Sequence, residues 1–112
     1  MDKPSLNKQW HSLRMSFLET LGKKPDINAF LFIIGIEQCG IIKDAFSKEE
    51  KQDLIHVAVA GFLCKDGYYS YEGKDASGWP HYTTVEVPPK LSVKEQEQWL
   101  KGHIVRYFED CS

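Results

Sequence analysis

The sequence predicts an α+β domain with a helical majority: three helices, a two-stranded antiparallel hairpin and a C-terminal helix. Three observations lead there. Apolar residues recur at helical spacing through three early segments and one late one, each opened by a capping residue. Between Tyr68 and Val87 the pattern changes to strand formers interrupted by a glycine-bounded loop. At 112 residues the chain has room for one core, so a single domain over residues 1–112 is expected.

The first helix is predicted from Ser5 to Leu21. Leu6, Trp10, Leu13, Phe17 and Leu21 trace one face, Pro4 and Ser5 suit its start, and Gly22 with Pro25 stops it. Asp26 then caps a second helix carrying Ala29-Phe-Leu-Phe-Ile-Ile-Gly-Ile36. That run of eight is far short of the ~20 apolar residues that a bilayer span needs. A helix apolar nearly all round must be covered nearly all round. It is either the central helix of the domain or is partly covered by another copy of the chain.

The third helix opens with the capping box Ser47-Lys-Glu-Glu50. Its first turns are polar, and its second half, Leu54 to Leu63, is apolar and predicted to run deep. A hairpin follows, with strands Tyr68–Tyr71 and His81–Val87 joined through Gly73–Gly78. Val85 and Val87 suggest that the His81, Thr83, Val85, Val87 face turns inward. Ser92-Val-Lys-Glu95 caps the last helix. Its inner face is read as Val93, Leu100, Ile104, Phe108 and Cys111, flanked by Trp99 and Tyr107, while Glu97 and Lys101 pair outside. Gly102 at mid-helix costs about 1 kcal/mol relative to alanine, which suggests a close helix approach.

The net charge is -2 and the only adjacent basic pair is Lys23-Lys24, so neither a nucleic-acid partner nor a polybasic membrane contact is expected. Cys39, Cys64 and Cys111 form no CxxC or zinc-ligand spacing. Reduced thiols in the cytoplasm are expected, and the first ten residues hold no apolar stretch of a signal peptide.

Glu37 is the most unusual polar residue, an acid on an apolar face in the last turn of its helix. The macrodipole there disfavours it by ~0.3–1 kcal/mol. Buried, it would be a tuned acid or base; the simpler reading is that the helix reaches water at this point. Asp53 and His56 stand at i,i+3, a spacing that can serve a metal. Two ligands are too few, so no metal is expected. Gly73–Gly78 has the glycine spacing of a phosphate loop but leads into a strand and lacks the Lys-Ser/Thr pair. No cofactor is expected.

The aromatic hairpin is the remaining candidate. Phe62, Tyr68, Tyr69, Tyr71, Trp79 and Tyr82 fall within twenty-one residues, with Glu72 and His81 among them. Such residues suit interfaces and ligand clefts, although some must simply pack the hairpin onto the helices. Both strands are edges, and an unpaired edge invites another chain; Pro80, Glu72 and Glu86 give partial protection.

The stretches FSKEEKQDLIHVAVAGFL, GYYSYEGKDASGWPHY and EQEQWL…IVRYF resemble a family of small uncharacterised bacterial proteins over roughly the C-terminal two-thirds. The resemblance implies a small bacterial cytosolic protein and carries over no catalytic residue. The expected function is a non-enzymatic interaction module that forms a homodimer. The alternative is a small-molecule binder or enzyme, with ligand-binding residues Glu37, Tyr69, Tyr71, Trp79 and His81 in a pocket between hairpin and helices.

Overall fold

The elements run α1 (Leu6–Ser16), α2 (Leu18–Leu21), α3 (Ile27–Cys39), α4 (Lys48–Lys65), β1 (Tyr69–Lys74), β2 (Pro80–Thr84) and α5 (Val93–Asp110) in a computed structural model that describes residues 5–110. This is the predicted helical-majority α+β architecture. Pro4 and Cys111 lie outside the described residues. Among the described residues, no helix is long and apolar enough to cross a membrane.

The helix starts follow from their capping residues. Ser5 Oγ accepts from the Lys8 amide at 3.3 Å, and Asp26 Oδ1 accepts from the Ala29 amide at 2.8 Å. Ser47 and Glu50 form a reciprocal box at α4, as Ser92 and Glu95 do at α5. Glu50 also pairs with Lys43; that hydrogen bond, followed by the Ser47 amide, holds its carboxyl down at about 2. The Glu97–Lys101 pair forms, with Lys101 Nζ 3.2 Å from Glu97, but the Lys101 side chain is only 16% exposed rather than turned out to water.

The single helix predicted over Ser5–Leu21 is interrupted at Phe17. Ser16 Oγ donates to the Leu13 carbonyl at 2.6 Å, the acceptor that the Phe17 amide would use in a continuous helix. The Phe17 amide instead reaches the Arg14 carbonyl at 3.2 Å. Gly22, at φ 76°, then ends α2 with its amide on Leu18.

The chain's contacts group into two compact units. The first takes the described parts of residues 1–30 and 91–112. Its centre is a ring cluster in which Phe30 meets Trp10 at 5.2 Å, Phe17 at 5.3 Å and Phe108 at 5.5 Å between centroids. Arg14 Nε donates to the Pro25 carbonyl at 2.8 Å, and the Lys101 ammonium lies 5.6 Å from the Trp10 ring centre. Along α5 the buried residues are His103, Ile104 and Val105. Val93, predicted to face inward, is 82% exposed. It occupies the first turn, beyond the stretch of α5 that buries side chains. Nor does Gly102 mark a close approach: a side chain there would meet only Arg106 of the same helix.

The second unit spans residues 31–90. Its close helix approach is at Gly35, where an added Cβ would collide with the Leu54 carbonyl of α4. Cys39, Leu54 and Val57 are buried there, with Phe32, Ile36, Ile41, Phe46 and Trp79 packed against them. Phe32 stands edge-on to Phe46 at 5.1 Å. α3 is thus covered on nearly every side within one chain, and its coverage calls for no second copy.

The hairpin departs most from expectation. β1 runs three residues further than predicted and β2 stops three residues sooner, and Glu72 bulges between the Tyr71–Tyr82 and Gly73–His81 pairs. Gly73, at φ 101°, turns the bulge. At the other end the Val85 and Glu86 amides both reach the Tyr68 carbonyl, which splays the chain and ends the pairing. The predicted inner face is the outer one: His81, Thr83, Val85 and Val87 are all exposed, the valines at 67% and 82%. Tyr82 turns inward instead, its hydroxyl lying beside Gly61 of α4. Pro80 is buried and paired opposite Lys74, at the start of β2.

Candidate binding cleft beside the hairpin

Tyr82 is the hub of the hairpin aromatics. It lies opposite Tyr71, with ring centres 5.5 Å apart, and 6.5 Å from Tyr69. Burial raises the pKa of its phenol, with smaller contributions from Cys64, Tyr71 and Cys39. On its other side Tyr82 lines a cleft of about 390 Å³ against α4. Val57, Ala60 and Pro80 supply apolar surface, and Asp53, His56 and Trp79 complete the lining.

The predicted site residues divide. Trp79 lines this cleft and packs on the core around Leu54. Tyr69 and Tyr71 are joined through Tyr82, Tyr69 partly buried and Tyr71 half exposed. His81 is exposed on the opposite face. Glu37 is exposed at the end of α3, where the helix reaches water; it lacks the burial a tuned acid needs. Asp53 and His56, weighed only as metal ligands, meet Trp79 and Tyr82 in the cleft. Among the described residues no three potential ligands gather to hold a metal.

His81 instead completes the hairpin loop. Its Nε2 lies 2.9 Å from Asp75 Oδ2, while Asp75 Oδ1 accepts from the Ser77 and Trp79 amides at 2.9 and 3.0 Å. The His81 bond and then the Trp79 amide hold the Asp75 carboxyl below its usual range. This explains the glycine-bounded loop without any phosphate: its amides are turned onto Asp75. The short Asp75–His81 spacing was the available sequence signal.

A larger groove of about 570 Å³ lies in the first unit, lined by Trp10, Arg14, Asp26, Asn28, Glu97 and Lys101 among others. Its charges are already engaged: Arg14 by Pro25, Lys101 by Glu97 and Asp26 by the Ala29 amide. The smaller cleft differs. Neither the Asp53 carboxylate, the His56 imidazole, the Trp79 indole N–H nor the Tyr82 hydroxyl hydrogen-bonds to another of the described residues. Chemistry therefore ranks it above the larger groove.

Cys39 is buried and Cys64 partly buried, and both are free thiols; burial pushes the Cys39 thiol up, against a smaller opposing effect of Lys74. His103, buried on α5, stands edge-on to Trp99 at 4.8 Å. Compared with protein-family models, curated proteins and solved structures, the chain matches none of them.

Proposed function

We propose that this chain is a non-enzymatic interaction module that pairs with a second copy of itself along the outer edge of β2. The observation that carries the reading is the two-stranded sheet, whose outer edges have no strand beside them among the described residues. Beyond Thr84, where the pairing with β1 ends, the chain leads into the exposed Val85 and Val87. A two-stranded hairpin is marginal by itself, and further strands stabilise it. Two copies related by a two-fold axis would set one β2 edge against the other, making four strands and giving the valines apolar neighbours. The free thiols Cys39 and Cys64 support the accompanying reading of a cytoplasmic protein.

Sedimentation velocity over a concentration series tests this. The wild-type chain should sediment as a dimer, and Thr84→Lys should weaken it by about tenfold or more, because the two-fold brings like charges together. A wild-type monomer at every concentration would overturn the pairing. A Thr84→Lys dimer of unchanged affinity would remove the β2 edge from it.

A further inference from the structure

We propose that the cleft between α4 and β2 is a binding site for small organic ammonium compounds with a flat hydrocarbon body. The cleft lies within the second unit and its volume falls at the small end of the range for ligand pockets. Its lining sorts by chemistry into two parts.

The apolar part is Val57, Ala60 and Pro80, of which Val57 and Pro80 are buried. It offers a hydrocarbon body a surface to leave water for. The rest favours positive charge. Asp53 brings a carboxylate with no protein partner among the described residues, and no lysine or arginine lines the cleft. Trp79 and Tyr82 add aromatic rings, whose faces attract an ammonium group electrostatically. A carboxylate ligand would meet repulsion from Asp53 with no lysine or arginine in the lining to offset it. A neutral ligand would leave Asp53 unused.

The remaining polar tips suit such a ligand. The Trp79 indole N–H, the Tyr82 hydroxyl and the His56 imidazole are free to bond a polar substituent on the body, which supplies orientation. Gly61 adjoins the arrangement: a Cβ there would lie 3.7 Å from the Tyr82 hydroxyl, at ordinary contact distance. The Asp53–His56 spacing that resembled half a metal site then serves the two ends of one organic ligand.

The test is an NMR titration of the ¹⁵N-labelled chain with phenethylammonium chloride, and separately with sodium phenylacetate, which has a similar body and the opposite charge. Saturable shifts should appear at the Trp79 indole N–H and at the Asp53, Val57 and Ala60 amides with the ammonium probe. Phenylacetate should give none. Asp53→Asn, an exposed substitution that keeps the helix, should raise the ammonium Kd by about tenfold or more, with the remaining spectrum unchanged. Equal binding of both probes, shifts scattered over the exposed aromatics, or an unchanged Kd in Asp53→Asn would each overturn the proposal. The readout comes from residues within a single chain, so it succeeds or fails independently of pairing at the β2 edge.

Discussion

α3 and the hairpin both carry many apolar or aromatic residues, and they end in opposite circumstances. α3 buries Phe30, Leu31, Ile34, Gly35 and Cys39 and covers Phe32, Ile33 and Ile36 in part; beyond its first turn only Glu37 and Gln38 reach water fully. The hairpin puts one aromatic face toward α4 and leaves its β-branched residues outside. Hydrophobicity alone does not decide burial. α3 is wanted from every direction, so no rotation about its axis exposes less apolar surface. A strand pair must choose one face, and here Tyr82 lies against α4 while Val85 and Val87, just beyond β2, stay outside.

The comparison can be broken most forcefully at Phe30, which is fully buried among three other rings. Phe30→Ala should cost about 3–5 kcal/mol in chemical denaturation; a cost near that of a surface change would deny α3 its central position. Next comes Gly35→Ala, expected to destabilise by about 1–3 kcal/mol because the Leu54 carbonyl occupies the space. Gly102→Ala is its control and should be neutral or gain up to about 1 kcal/mol. If both glycines respond alike, the close approach is misplaced.

The smallest effect belongs to the hairpin loop. The folded Asp75 carboxyl binds its proton less readily than the usual value of about 3.9. Its contribution is therefore complete above that value and is lost as pH falls through the lower, folded one. NMR titration downward from pH 5 should move the Ser77 and Trp79 amides, which bond to Asp75, before those of α3. Amides of α3 shifting at a higher pH than those of the loop would reverse the contrast.

Local chemistry was the legible part of the fold. Capping at Asp26, Ser47 and Ser92 involves residues three apart, so the sequence alone carries the whole interaction. The interruption at Phe17 was harder to foresee, since a serine hydroxyl can bond backward or face water with little change in pattern. Gly35 and Gly102 look alike in sequence; only the neighbour that arrives from another helix separates them. In the hairpin, the bulge at Glu72 ends the strict alternation on which a facing assignment rests. Trp79 was legible as a site residue because it is aromatic, close to glycines and near a strand. Its meeting with Asp53 and His56 was not, because more than twenty residues separate them and only packing brings them together.

The way each unit is threaded bears on the order in which the chain can fold as it is made. The second unit is contiguous, so every partner for Gly35 and Cys39 has been synthesised by residue 90. The first draws on both ends: Gln9 on α1 bonds Glu109 on α5 across a separation of 100 residues. At about 5–20 residues per second, α1 waits roughly 5–20 s for that partner. Through that interval Trp10 and Phe17 lack the α5 side of their ring cluster, and closing so long a loop carries its own entropic cost. A nascent chain would thus hold a completed second unit while its earliest helix is still open to a chaperone.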